Sequence, residues 1–106
     1  MAEEYIEVRT TIDKKDVAVE IARMLVERRL ASCVQILGPI ESTYWWRDKI
    51  DTTEEWLLTI KTKKDVYFEL EDAIKNNHPY EVPEIIATQI VGGNSDYLKW
   101  ISDEVR

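Results

Sequence analysis

Hydrophobic residues recur first at every second position and then at every third or fourth, which predicts a strand followed by a helix. In residues 5–12 the apolar side chains occupy alternate positions, as in a strand with one buried face. Asp13 or Asp16 then offers a carboxylate that would cap a helix. The apolar residues of this helix lie at helical spacing and are Ala18, Ile21, Ala22 and Leu25. We expect the helix to end near the basic pair Arg28-Arg29, which suits the negative end of the helix dipole.

The middle of the chain predicts a long hairpin of two strands. The first strand covers residues 33–46 and is interrupted at Gly38-Pro39. Because proline donates no ladder hydrogen bond, we expect a bulge or an edge position there. Residues 47–52 are polar and predict the turn, and residues 55–62 predict the returning strand.

The last part of the chain predicts a second helix, a fourth strand and a short final helix. Residues 63–77 carry an apolar stripe, and His78-Pro79 ends this helix because the residue before proline avoids the helical region. Residues 85–91 predict a strand that stops at two glycines. The final helix is capped by one of three adjacent residues, Asn94, Ser95 or Asp96. Its apolar side is formed by Tyr97, Leu98, Ile101 and Val105.

The predicted order of elements is β-α-β-β-α-β with an extra C-terminal helix. This order is typical of an α+β, ferredoxin-like fold, in which two helices cover one face of a four-stranded antiparallel sheet. The chain has 106 residues and neither a repeat nor a linker-like stretch, so we expect a single domain over residues 1–106.

The second face of the sheet predicts an oligomer. A face in contact with water would be polar, whereas the hairpin carries bulky apolar residues on both faces. These are Tyr44, Trp45, Trp46, Trp56, Leu57 and Leu58. Because soluble monomers rarely expose a large apolar patch, and because strand edges attract further strands, we expect a homo-oligomer built around the hairpin.

Charge and composition exclude several classes of function. Fourteen basic residues against 21 acidic residues give a formal charge of −7, which disfavours nucleic acid and suits a cation. One Cys and one His allow neither an intrachain disulfide nor a closed Cys/His zinc site in one chain. No apolar run approaches the roughly 18 residues of a membrane span, and no signal peptide is visible. We therefore expect no membrane partner and a cytoplasmic location.

Five segments in order resemble the CutA family of divalent-cation tolerance proteins. They are Leu25–Cys33 (LVERRLASC), Tyr44–Trp46 (YWW), Lys61–Thr62 (KT), His78–Glu84 (HPYEVPE) and Asp96–Trp100 (DYLKW). The resemblance implies a ferredoxin-like fold and a tight trimer similar in plan to the PII signalling proteins, joined edge to edge by strands. It implies a role in tolerance of divalent metals with copper binding for bacterial members, and anchoring of a cholinesterase for animal members. No enzymatic activity is established for the family.

The candidate metal ligands are His78, Glu84 and Cys33. Imidazole and carboxylate are common ligands of copper or other divalent cations, although the set predicts weak binding. The resemblance implies further ligands, but Thr10 and Asn77 stand at those positions. Each candidate also has a structural interpretation. His78 would hydrogen-bond a carbonyl at the helix end, Glu84 would be a buried carboxylate paired with a lysine (Lys61), and Cys33 would be a buried strand residue.

The aromatic residues predict either subunit packing or an inter-subunit cleft, and the two interpretations are compatible. The candidate cleft residues are Tyr44, Trp46, Lys61, Tyr80, Tyr97 and Trp100, while Trp45 and Trp56 are candidate trimer contacts. A cleft of this kind would make the protein a PII-like sensor of a small molecule. An enzyme is not expected, because the sequence has no anion-binding Gly/Arg loop after the first strand and nothing places Cys33 beside His78.

Overall fold

The computed structural model describes residues 3–106, which form four strands and three α-helices. In chain order they are β1 (Tyr5–Ile12), α1 (Lys15–Glu27), β2 (Cys33–Trp46), β3 (Lys49–Lys63), α2 (Tyr67–Asn77), β4 (Ile86–Ile90) and α3 (Ser95–Glu104), with a 3₁₀ turn at Lys64–Val66 before α2. None of the helices within the described part of the chain has the length and apolar content needed to span a bilayer.

The strands form one antiparallel sheet in the order β2-β3-β1-β4. At its centre, Val8 of β1 lies opposite Ile60 of β3 on one side and Ala87 of β4 on the other. The two outer strands, β2 and β4, are the free edges of this chain. The α+β, ferredoxin-like fold with an extra C-terminal helix is therefore confirmed.

The core lies between the sheet and helices α1 and α2. Alternate residues of β1 and β3 supply its sheet side, and the apolar stripes of the two helices supply the other. Its fully buried large side chains include Val8, Ile12, Ile21, Leu25, Leu58, Ile60, Leu70 and Ile74. The buried Thr62 hydroxyl donates a 2.7 Å hydrogen bond to the Leu30 carbonyl, which ties the segment after α1 to β3.

Helix α3 lies against β3 and closes one end of the molecule. Ile101 of α3 and Val105 at its C-cap are buried apolar side chains. The Tyr5 hydroxyl donates to the Ser102 hydroxyl at 3.4 Å, and the Arg29 guanidinium pairs with Glu104 at 2.5 Å. These contacts join α3 to both β1 and the end of α1.

The hairpin is longer than the sequence predicted, because its turn is only two residues. Arg47 and Asp48 both adopt positive φ, 49° and 65°, which matches the tight turn favoured between antiparallel strands. The ladder then continues through residues 49–54, which we expected to belong largely to the turn. The predicted bulge is confirmed, since the register shifts between Leu37 and Ile40 around a cis Gly38-Pro39 peptide bond.

Helix starts differ from the sequence prediction at two places. Lys14 occupies the N-cap of α1 without a side-chain cap, and the Asp16 carboxylate instead accepts from the adjacent Val17 N–H at 3.0 Å. The α2 helix begins at Tyr67, because residues 64–66 form the 3₁₀ turn. At α3 the prediction is confirmed, since Asn94 Oδ1 accepts from two backbone N–H groups of the first turn.

Candidate functional site: an acidic, aromatic groove beside the hairpin

A groove of about 770 Å³ lies between the upper hairpin and the loop that follows α2. Its walls come from β2, β3, the end of β1 and residues 80–84. The lining residues are Thr11, Ser42, Thr43, Tyr44, Trp45, Trp46, Asp51, Glu55, Tyr80, Glu81, Val82 and Glu84. The groove is therefore built from aromatic rings and carboxylates.

His78 fixes the loop that forms one wall of the groove. Its Nδ1 accepts a 3.1 Å hydrogen bond from the backbone N–H of Tyr80, so the ring proton must lie on Nε2. Nε2 lies 2.8 Å from the carbonyl oxygen of Thr11 and donates to it. The side chain is only 9% exposed. Both ring nitrogens are thus engaged within the chain, which matches the structural interpretation of this histidine.

The floor of the groove is a hydrogen-bonded pair of Glu55 and Tyr80. The Tyr80 hydroxyl donates to Glu55 Oε2 at 2.6 Å, and Glu55 is only 5% exposed. Burial, with a further contribution from the hydrogen bond and charge of Glu55, raises the pKa of Tyr80 far above its ordinary value. Tyr80 therefore stays a neutral donor to Glu55.

The rim of the groove carries a cation–π contact and an ion pair. The Arg47 guanidinium lies 5.3 Å from the centroid of the Trp46 ring and bonds Glu81 at 3.0 Å. Across the hairpin, the Tyr44 hydroxyl lies 2.7 Å from the Thr53 hydroxyl, which ties the tyrosine side chain of β2 to β3.

The other predicted cleft residues lie elsewhere, at the lower half of the sheet beside α3. Lys61 donates to Gln35 Oε1 at 2.7 Å and lies 3.6 Å from a Glu7 carboxylate oxygen. Tyr97 and Trp100 pack with ring centroids 5.4 Å apart on α3. Burial, together with the nearby Cys33 thiol, raises the pKa of Tyr97. Trp100 also lines a smaller cavity of about 270 Å³ between α1 and α3.

Within one chain, the structure does not bring the three predicted metal ligands together. Cys33 lies opposite Lys61, which is opposite Glu7, whereas His78 bonds Thr11. Glu7 and Thr11 are four positions apart on β1, a distance of roughly 13 Å at the rise of a strand. Cys33 and His78 therefore lie near different ends of β1. Within residues 3–106 no group of three or more His, Cys, Asp or Glu could hold a metal ion.

The structural alternative for Glu84, a buried carboxylate paired with lysine, is wrong. Glu84 lies just before β4 and is exposed at the groove. The Lys61 ammonium contacts Gln35 and Glu7 instead of Glu84. Thr10 and Asn77 occupy the other two metal positions that the resemblance implies. Thr10 is fully buried, and its hydroxyl lacks a hydrogen-bond partner in the described chain. The Asn77 amide donates to the Ala73 carbonyl at 2.8 Å.

The two predicted trimer contacts differ in their surroundings. Trp45 is 72% exposed near the hairpin tip, as a contact for another chain would be. Trp56 is half-buried, packs against the core and closely approaches Gly38. The packing of Trp56 is explained by its own chain, and its contact with another subunit stays a prediction.

Sequence reasoning missed two acidic residues of the groove, Asp51 and Glu55. Asp51 falls within the predicted turn, and Glu55 begins the predicted returning strand without any assignment to a site. The signal that was available is strand alternation, which turns the side chains of Glu55 and Leu57 to one face and that of Trp56 to the other.

Comparison with known proteins places the chain among close relatives. Residues 6–104 match the family described as "CutA1 divalent ion tolerance protein". The rice (Oryza sativa) chloroplastic protein CutA 1 is 42% identical over 99 residues, covering 93% of this chain but only 56% of the rice protein. The divalent-cation tolerance protein CutA of Thermus thermophilus is 41% identical over 93 residues, 88% of this chain and 90% of that protein.

The fold comparison agrees with the sequence comparison. The crystal structure of CutA1 from Oryza sativa superimposes with a TM-score of 0.95 at 41% identity, covering 97% of this chain and 94% of that one. This chain spans just over half the length of the full rice relative. That relative's name places it in the chloroplast, and the cytoplasm stays a prediction for this chain.

Proposed function

Because the chain belongs to the CutA1 divalent ion tolerance family, we propose that it acts in tolerance of, or response to, divalent metals, copper first among them. We propose that it does so as a cytoplasmic, non-enzymatic homotrimer that binds the ions weakly. The Thermus relative is named for divalent-cation tolerance, which supports the role. The family match over residues 6–104 is the observation that carries the proposal.

Exposed apolar surface on the hairpin supports the trimer. Trp45 and Ile50 near the tip, Leu37 at the bulge and Ile86 on β4 are all more than half or about half exposed in the single chain. Such residues are usually covered in a soluble protein. They lie on or beside β2 and β4, the two strands with free backbone edges, so a neighbouring chain would cover the apolar side chains and pair the edges together.

Weak rather than tight metal binding is supported by the state of the candidate ligands. A metal ion at His78 would have to displace either the Tyr80 N–H or the Nε2 proton. Cys33 and Glu84 lie too far apart to share an ion in one chain, so a complete ligand set would need residues from neighbouring subunits. Seven negative charges per chain would concentrate cations around the assembly.

Titration calorimetry with Cu²⁺ and Zn²⁺ tests the metal role. We expect weak, saturable heats for the wild type, reduced in Glu84→Gln and unchanged in Glu20→Gln, an exposed carboxylate of α1 that serves as the matched control. The variant His78→Ala should reduce the Cu²⁺ heat if copper displaces its hydrogen bonds. Negligible and identical heats for all four proteins would remove metal binding from the proposal.

The groove supports a second candidate function, a sensor that binds a small molecule. Its volume of about 770 Å³ falls in the range of small-molecule sites, and it combines aromatic walls with a few oriented polar groups. A thermal-shift screen against nucleotides, amines and organic acids tests this function, because a ligand of the folded state raises the melting temperature. If no compound in the screen raises the melting temperature, the result would argue against a small-molecule sensor.

A further inference from the structure

The chain already places one organic cation against the groove. The Arg47 guanidinium lies over the Trp46 ring at 5.3 Å and bonds the Glu81 carboxylate at 3.0 Å. An aromatic face combined with a carboxylate is the environment that attracts ammonium and guanidinium groups. The rim therefore shows, within this chain, the kind of group that the surface accepts.

The floor of the groove carries a buried negative charge without a cation. Glu55 is 95% buried, and in the described part of the chain its carboxylate receives one side-chain hydrogen bond, from the neutral Tyr80 hydroxyl. No basic side chain among residues 3–106 pairs with Glu55, Asp51 or Glu84, all of which line the groove. Removing a carboxylate from water is costly unless positive charge compensates it.

The walls of the groove suit an organic cation better than a metal ion. Tyr44 and Trp46 offer aromatic rings, which contribute nothing to the oxygen shell that a hard divalent ion requires. A methylated or primary ammonium can face a ring and a carboxylate at the same time. The groove is also large enough for an alkyl chain attached to such a head group.

We infer that the groove binds a small alkylammonium compound, with its charged head beside Glu55 and its methyl or methylene groups against Tyr44 and Trp46. This inference rests on the second candidate function above and gives that function a ligand class. It is independent of the proposed role in metal tolerance.

The test compares choline with its neutral isostere 3,3-dimethylbutan-1-ol by titration calorimetry on the full chain in its native assembly. We expect choline to bind with a Kd of about 1 mM or tighter and the neutral isostere to bind at least about ten-fold more weakly. Glu55→Gln keeps the shape and the Tyr80 contact, and it should weaken choline at least about ten-fold. Glu20→Gln removes the same charge from an exposed position and should leave choline binding unchanged.

Trp46→Leu provides a second variant that keeps Glu55 and removes an aromatic wall of the groove, and it should also weaken choline binding. Circular dichroism confirms that each variant is folded. The inference would be overturned if choline and the isostere bind with equal affinity, or if choline does not bind. It would also be overturned if Glu20→Gln weakens choline binding as much as Glu55→Gln does. If the metabolite screen instead finds a neutral or anionic ligand, the sensor function stands and the alkylammonium class is wrong.

Discussion

The Nε2 atom of His78 donates a 2.8 Å hydrogen bond to the carbonyl oxygen of Thr11, joining the end of α2 to the end of β1. Because Nδ1 of the same ring accepts the Tyr80 N–H, this histidine also sets the position of Tyr80. Tyr80 in turn holds Glu55 on the groove floor. The only histidine of the chain thus organises the groove through two hydrogen bonds.

Replacing His78 by alanine should lower the free energy of unfolding by about 2–4 kcal/mol. The variant leaves a buried carbonyl and a partly buried N–H without partners and opens a cavity. Urea unfolding at a fixed protein concentration measures the change, with Asn76→Ala, an exposed α2 residue, as the control. A loss no greater than that of the control would show that the two hydrogen bonds do not support the fold.

Replacing Tyr80 by phenylalanine should change stability most clearly in alkaline solution. The pKa of Tyr80 is raised in the folded chain, so the proton is held more tightly there than in the unfolded chain, whose value is about 10.0. The stabilisation is fully present below that pH and is lost as the pH rises above it. Wild-type stability should therefore fall more steeply above about pH 10 than that of Tyr80→Phe.

Urea unfolding between pH 8 and pH 11, with absorbance at 295 nm to follow tyrosine ionisation, measures this difference. At neutral pH the same variant should lose about 1.5–3 kcal/mol, since a hydrogen bond to a charged group is removed. Tyr44→Phe is the matched control, because in the described chain its hydroxyl bonds the uncharged, partly exposed Thr53. Parallel pH profiles for wild type and Tyr80→Phe would contradict the assigned role of this hydroxyl.

The glycine at the bulge should not tolerate a side chain. A Cβ atom at Gly38 would lie 2.5 Å from Cδ1 of Trp56, a half-buried ring that is held against the core. We expect Gly38→Ala to cost about 1–3 kcal/mol. Gly92→Ala is the internal control, because a Cβ there meets no atom within 4 Å. Equal melting temperatures for the two variants would mean that the bulge shifts freely.

The hairpin turn offers a stabilising substitution. Asp48 adopts a φ of 65°, a left-handed conformation that costs most residues about 1–2 kcal/mol and glycine much less. Asp48→Gly should therefore raise the free energy of unfolding by about 0.5–1 kcal/mol, while Asp48→Ala should lower it. Thermal unfolding of the two variants and the wild type gives the sign of each change in stability directly. A more stable Asp48→Ala would show that the turn changes conformation.

The order and type of the elements could be predicted because hydrophobic periodicity is strong in β1, α1 and α2. The length of the hairpin could not, since residues 49–54 are polar and look like a loop. Their strand pairing depends on a two-residue turn at Arg47 and Asp48, and Arg47 is not a typical residue for positive φ.

The candidate site was only partly predictable for a similar reason. Tyr44, Trp46 and Tyr80 do meet in one groove, as expected from their bulk and family motif. Lys61, Tyr97 and Trp100 do not join them, because the strand register places them at the other end of the sheet. Glu55 was missed because its burial depends on the loop fixed by His78, a long-range contact that no local pattern reveals.

The proposed homotrimer is the central claim, because it gives the exposed apolar hairpin a partner and supplies the ligand sets that one chain lacks. Size-exclusion chromatography with multi-angle light scattering tests it most directly. We expect a mass of about 37.5 kDa, three times the 12.5 kDa chain, maintained on dilution to low micromolar concentration. A mass near 12.5 kDa under the same conditions would contradict it.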